Sequence, residues 1–271
     1  MSHDVTWVLQ ANLLRKPKDE LAFTLKDLNI PFIGANVIPF AKTLQLLDVL
    51  PAHKALIPCG STSLLRYARQ AGWQGVFFDA QTFRVDTWLS HHPDMLNQAE
   101  VLSVEQAAAK WRERSGYWHL RPIEDLKLFS GRVLSAEELS RWLENPDSLQ
   151  SRTGHIAPET LIAISPAQKL LGEWRWFIVG GEVLDGSLFK LKDARIRRHE
   201  QDEGLIRSAA RLAEKWLPHE VCVMDTALTP EGLKVTEFNC FNCSGFYEHD
   251  TALILRKVTK YLQEKLEKDG P

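Results

Sequence analysis

Short apolar runs and amphipathic stretches alternate through the first third of the chain. Residues 5–10, with Val5, Trp7, Val8 and Leu9, read as a strand, 18–28 as an amphipathic helix and 32–38 as a second strand. Residues 54–60 carry Ala55, Leu56 and Ile57. They lead through Gly60 into a helix over 61–71, with Ser61 or Thr62 as its N-cap. Residues 75–79 read as a further strand. Strands separated by helices predict a small parallel α/β sheet. The Gly60-Ser61-Thr62 turn suits either an anion held on backbone N–H groups or a simple capped helix start. From 86 to 97 the pattern turns irregular and rich in His and Pro (His91, His92, Pro93), which predicts a linker. Adjacent side chains diverge, so His91 and His92 read as surface histidines rather than metal ligands.

The second half has a different rhythm. Residues 117–122 form a strand ending in Arg121-Pro122, followed by a polar loop over 123–132 with Glu124, Asp125 and Lys127. Ser135 and Glu138 form a capping box that opens a helix to about 144. Residues 161–166 are a strand stopped by Pro166. Residues 173–179 alternate cleanly, turn at Gly180-Gly181 and continue over 182–190, a hairpin pattern that places Glu173 and Arg175 on one face. Residues 201–216 and 251–267 read as amphipathic helices. Asp193, Arg195, Arg197 and Arg198 form a charged loop, either a substrate-facing lid or a solvated loop.

Composition narrows the class. A chain of 271 residues suits one large domain or two modest ones, and 44% hydrophobic with 25% charged residues is ordinary for a globular protein. A net charge of −2 argues against a general nucleic-acid or membrane-surface binder. No apolar run is long enough to span a bilayer, and the first residues lack a signal-peptide pattern, so a cytoplasmic location is expected. Four cysteines are too few and too uneven for a disulfide framework. Cys240 and Cys243 have C-x-x-C spacing, yet neither a thioredoxin-like context nor a second zinc knuckle accompanies them. Packing beside the neighbouring hairpin is the preferred reading.

That hairpin holds the most informative chemistry. Residues 220–228 and 233–239 are apolar runs around a Thr229-Pro230-Glu231-Gly232 turn, so Asp225 faces Glu237 across the ladder. Glu237 and Asn239 share a face because strand side chains repeat every two residues. Polar residues on an outer strand face are ordinary. Here, however, Val221, Val223, Leu228, Leu233 and Val235 point to burial, and two buried carboxylates side by side repel unless a cation sits between them. An oxygen site with few carboxylates suits Mg²⁺.

The order of these features resembles the ATP-grasp superfamily and its RimK-like carboxylate–amine ligases. Gly172-Glu173-Trp174-Arg175 through Gly181 matches the family's G-x-D-x-R-x-F-V-V-x-G strand pair with Glu for Asp, and Val235 to Asn239 matches its metal strand. The lysine of the family's V-K-P strand is Arg121 here. That departure, together with the run from Asn239 to Tyr247, resembles a bacterial and phage clade in which arginine takes that place. The resemblance covers about residues 100–250. It implies an α/β (α+β) fold: a small N-terminal parallel α/β domain over 1–100, then an ATP-grasp domain of two α+β subdomains over 101–271, hinged near 165–172. It implies ATP and Mg²⁺ as cofactors, and an ADP-forming ligase that joins small-molecule or peptide carboxylate and amine substrates.

By the same resemblance, Arg121, Lys127 and Lys190 clamp phosphates, and Ile164 and Ser165 offer backbone groups to adenine. Glu173 contacts substrate or fixes Arg175. Arg175 and Lys190 are catalytic, with Arg175 stabilising the transferred phosphoryl group or the acyl-phosphate. Asp225, Glu237 and Asn239 hold the metal. Asn242 and Ser244 stand beside the metal strand, open to phosphate or substrate. Two alternatives are a catalytically silent ATP-binding sensor or partner protein, and a thiol redox protein built on Cys240 and Cys243.

Overall fold

The computed structural model describes residues 5–13, 17–38, 43–49, 55–111, 115–124, 128–148, 155–192 and 194–269. The first sheet contains β1 (Thr6–Gln10), β2 (Phe32–Val37), β3 (Leu44–Leu46) and β4 (Leu56–Cys59) in the order β3-β2-β1-β4. β1 pairs parallel with β2 and β4, as the alternating pattern predicts, and is buried along its whole length. The helix α1 (Pro17–Asp27) crosses over from β1 to β2, and α2 (Thr62–Gln70) follows β4 with Ser61 as its cap. β3 is an antiparallel edge strand of three residues, too short to show in the apolar pattern.

Residues 75–79 do not form the expected strand. They run beside β4, with Gly75 N–H bonded to Leu56 O at 3.0 Å. The next ladder positions are occupied by the side chain of Asn242. Its Oδ1 accepts from Phe77 N–H at 2.8 Å, and its Nδ2 donates to Pro58 O at 2.8 Å and Gly75 O at 2.9 Å. Gly75 permits this approach, because a Cβ there would meet Leu56 O at 2.6 Å.

The expected linker at 86–97 is packed structure. The helix α3 (Val85–His91) buries Trp88, and Met95 enters the same core cluster. His92 is buried rather than on the surface, its Nε2 3.0 Å from Leu212 O. Phe83, Val85, Trp88 and Met95 supply the apolar anchors that the intervening His and Pro residues conceal.

The second sheet contains β5 (Glu100–Ser103), β6 (Tyr117–Pro122), β7 (Arg132–Ser135) and β8 (Leu161–Pro166), antiparallel in the order β5-β8-β6-β7. Its core packs Leu120, Ile162 and Ile164 against Trp142 and Leu139 of α5 (Ala136–Glu144) and Ala107 of α4 (Val104–Lys110). Ser103 and Ser135 close full capping boxes with Gln106 and Glu138.

The third sheet contains β9 (Gly172–Val179), β10 (Glu182–Leu191), β11 (Ala194–His199), β12 (Cys222–Thr229) and β13 (Gly232–Cys240) in the order β11-β10-β9-β12-β13. Gly180 and Gly181 take φ of +64° and +83°, as a tight two-residue hairpin turn requires. Residues 194–199 pair with β10 as an edge strand, so the expected charged loop is corrected there. Asp193 lies outside the described residues.

One face of this sheet (Met224, Val235, Phe238) packs against α6 (Glu203–Ala213) and α3. The other face (Phe177, Val223) packs with Phe241, with α7 (Thr251–Asp269) and with Trp7 and Ile57 of the first sheet. The first and third sheets therefore share one core. Among the described residues, no helix is long and apolar enough to cross a membrane.

Candidate active site

The second and third sheets line a cleft of about 500 Å³. His119, Arg121 and Gly131 come from the second sheet and its β6–β7 connection, and Glu173, Arg175, Asp225 and Glu237 from the third.

Register explains why these side chains meet. Arg175 on β9 lies opposite Asp225 on β12, and Asp225 lies opposite Glu237 on β13. One row across three adjacent strands thus reads Arg175, Asp225, Glu237. The hairpin turns at Pro230-Glu231, with Thr229 opposite Gly232. Thr236 is an extra residue between the pairs Asp225–Glu237 and Thr226–Val235. This bulge lets Val235 enter the core on one face while Glu237 turns to the cleft on the other. A second bulge lies at Phe189, between the pairs Leu188–Trp174 and Lys190–Glu173. Both bulged residues line the cleft.

The row is bonded throughout. Arg175 forks Asp225, Nε to Oδ1 at 2.8 Å and Nη2 to Oδ2 at 2.7 Å, and its Nη1 reaches Gly245 O at 3.4 Å. Asn239 Nδ2 donates to Asp225 Oδ2 and to Glu237 Oε1, each at 3.1 Å. Its amide nitrogen faces them because both neighbours are acceptors. Arg121 Nη2 donates to Glu237 Oε2 at 3.2 Å, and its guanidinium stacks 5.1 Å from the Trp88 ring centroid. Glu173 pairs with Lys190 at 2.6 Å, directly across the β9–β10 ladder.

Arg175 and Asp225 are both buried. Burial pushes the Asp225 carboxyl above the ordinary range, and Arg175 opposes that rise. Burial alone would lower Arg175, but Asp225 beside it holds the guanidinium above its ordinary value. Two short charge-assisted bonds decide for an ionised pair. Burial, and secondarily Arg121, lower His119 to about 4, leaving a neutral imidazole on the same strand face as Arg121.

Among the described residues, no three His, Cys, Asp or Glu side chains cluster so as to hold a metal by themselves. Asp225, Glu237 and the amide oxygen of Asn239 supply two carboxylates and one neutral oxygen. That donor set fits Mg²⁺, which takes one or two carboxylates and fills its remaining positions from water and substrate phosphates.

The structure gathers Arg121, Glu173, Arg175, Lys190, Asp225, Glu237 and Asn239. Ile164 and Ser165 are buried in β8, which is flanked by β5 and β6. Lys127 lies outside the described residues. Asn242 is corrected: it is buried and its amide is engaged by Pro58, Gly75 and Phe77 rather than open to phosphate or substrate. Ser244 Oγ donates to Cys240 O at 2.8 Å. Cys240 and Cys243 are not in a disulfide, and the buried Cys240 faces Phe77 O at 3.7 Å.

Sequence reasoning missed His119 and Tyr247. His119 stands two residues before Arg121, a period-two signal that was available. Tyr247 lies between Arg175 and Arg197, whose guanidiniums are 4.6 and 4.9 Å from its ring centroid. No local pattern announces that stack.

The family model described as ATP-grasp domain, R-2-K clade family 3, matches residues 70–258. Comparison with the curated proteins finds no match. Among solved structures, the D-alanine–D-alanine ligase from Coxiella burnetii is similar at a TM-score of 0.63 and 10% identity, over 98% of this chain and 97% of that one. The RimK domain ATP-grasp protein from Sphaerobacter thermophilus is similar at 0.61 and 13%, over 96% and 98%. The ATP-grasp ligase PsnB, solved with a phosphomimetic variant of its minimal precursor, Mg and ADP, is similar at 0.58 and 12%, over 96% and 99%. At these identities the likeness is one of fold.

Proposed function

The chain belongs to the ATP-grasp domains of R-2-K clade family 3, and from that footing we propose that it is an ATP- and Mg²⁺-dependent, ADP-forming ligase that joins a carboxylate to an amine. The observation that carries this reading is the row Arg175, Asp225, Glu237 in a cleft to which the second sheet contributes Arg121. The presence of Mg and ADP in the PsnB complex supports the same pair of ligands here.

Asp225, Glu237 and Asn239 would hold Mg²⁺, with the Asn239 amide turned to present its oxygen. Bound there, the ion would neutralise charge on the β- and γ-phosphates. Arg121 and Lys190 would bind phosphate oxygens, Arg121 with a guanidinium already oriented by Trp88 and Glu237. Arg175 is bonded to Asp225, so it would fix that carboxylate and add positive charge behind the transferred group. Glu173 would hold Lys190 in place. Past Pro166, Gln168 and Leu170 line the cleft and would extend the adenine contact expected of Ile164 and Ser165.

In the reaction, a substrate carboxylate oxygen attacks the γ-phosphorus and ADP leaves. The amine nitrogen then attacks the acyl carbon, phosphate leaves with the bonding pair, and the amine gives up a proton. The chain contributes positioning and charge, which is what phosphoryl transfer asks of a protein. The test is ADP release from ATP and Mg²⁺ with pooled amino acids and small carboxylates. Release that requires the pool supports ligation. Mg-ATP binding with no release from any pool favours a nucleotide sensor.

A further inference from the structure

A second concavity of about 260 Å³ lies beyond the end of β6. One wall is a stripe of α2. Thr62, Leu65, Arg66 and Arg69 recur at i, i+3, i+4 and i+7 and so share a helix face. The partly exposed Phe78 forms the apolar floor, backed by the buried Phe83, with ring centroids 5.1 Å apart, and by the buried Leu65. Arg84 and Glu124 close the far side, where the two segments are joined by Val85 N–H donating to Ile123 O at 2.9 Å.

The charges around this groove are unequal. Arg84 is held by Asp86 at 2.7 Å and stands 3.9 Å from Glu124. Arg66 and Arg69 are exposed, and neither forms an ion pair with an acidic side chain among the described residues. The Arg69 guanidinium stacks 5.3 Å from the Phe78 centroid, which restrains it at the groove. Two uncompensated guanidiniums beside an aromatic floor are a local positive excess on a chain of net charge −2.

We propose that this groove docks an acidic peptide segment, with carboxylates on Arg66 and Arg69 and an apolar side chain against Phe78. Guanidinium forks match carboxylates in plane and spacing. A groove of this volume is below the size of a typical drug-sized pocket and takes one or two side chains. Single-stranded nucleic acid is disfavoured: one face of Phe78 is already covered by Arg69, and two arginines make no extended basic track.

Fluorescence anisotropy of the full chain with a fluorescein-labelled hexapeptide of alternating glutamate and phenylalanine tests this. Saturable binding is expected, weakened about tenfold or more by Arg66→Glu/Arg69→Glu and by added salt, and absent for a peptide with lysine in place of glutamate. Arg66→Gln/Arg69→Gln is the milder variant, and circular dichroism confirms that each variant is folded. Absence of saturable binding overturns the proposal. So does equal affinity in the reversed variant, or an equal loss in Arg256→Glu/Lys257→Glu on the exposed face of α7. Tighter binding of a labelled single-stranded oligonucleotide overturns it in favour of nucleic acid.

Discussion

Arg175 faces Asp225 directly across the β9–β12 ladder and holds both of its carboxylate oxygens, at 2.8 and 2.7 Å. The carboxylate proposed to face the metal and the arginine beside it are therefore one bonded unit, buried together. Removing one member leaves a buried charge without its partner. Arg175→Met is expected to destabilise the fold by about 3–5 kcal/mol. Arg175→Met/Asp225→Leu should recover most of that loss, because two apolar side chains need no partner. Urea unfolding of Arg175→Met, Asp225→Leu and the double variant measures the difference, and simple addition of the two single losses would contradict the pairing.

Stability should fall in mild acid. Burial lowers His92, His119, His219 and His249, with His119 and His249 reaching about 4. An unfolded histidine titrates near about 6.5. Between those values the unfolded chain binds protons that the folded chain does not, so unfolding becomes easier as pH falls from about 6.5 towards 4. The stabilisation is fully present above the unfolded value. Each strongly shifted histidine contributes on the order of a few kcal/mol. Urea midpoints at neutral and mildly acidic pH should differ, and His119→Gln/His249→Gln should flatten the dependence. An unchanged slope would assign it to other groups.

Asn242 joins β4, the 75–77 segment and the turn after β13 through three buried hydrogen bonds. Asn242→Ala leaves Phe77 N–H, Pro58 O and Gly75 O without that partner. Each buried orphan costs about 1–3 kcal/mol, so a loss of about 3 kcal/mol or more is expected in thermal or urea unfolding. A variant as stable as the wild type would show that water replaces the amide.

Arg121 is positioned by its stack on Trp88 and its bond to Glu237. Arg121→Lys keeps the charge but lacks the planar fork. Mg-ATP affinity is expected to fall about tenfold, measured by isothermal titration, with unfolding little changed. Unaltered affinity would remove Arg121 from the nucleotide site.

Much of this arrangement is legible in the chain because its signals are local. The Ser135–Glu138 capping box, the Gly180-Gly181 turn and the Asp225–Glu237 hairpin each follow from a few adjacent residues. What stayed hidden depends on distant partners. Phe77 lies in an extended segment whose ladder position is filled by Asn242, 165 residues away in sequence. Trp88 and Met95 find their core only once the third sheet exists. Arg195 and Arg197 read as a loop because an exposed edge strand carries charge where a buried one carries valine. The bulge at Thr236 decides which face Val235 takes, and no residue type in the run marks it.

The most direct test is Mg²⁺-dependent ATP turnover and binding by the wild type beside Glu237→Gln. Glu237 is partly exposed at the cleft and bonded to Arg121 and Asn239. The amide therefore preserves shape while removing the charge that would meet the metal. The account predicts Mg-ATP binding and substrate-dependent ADP release by the wild type, with release abolished and unfolding nearly unchanged in Glu237→Gln. Wild-type turnover in Glu237→Gln would contradict the metal site, and failure of the wild type to bind Mg-ATP at all would contradict the assignment of the cleft.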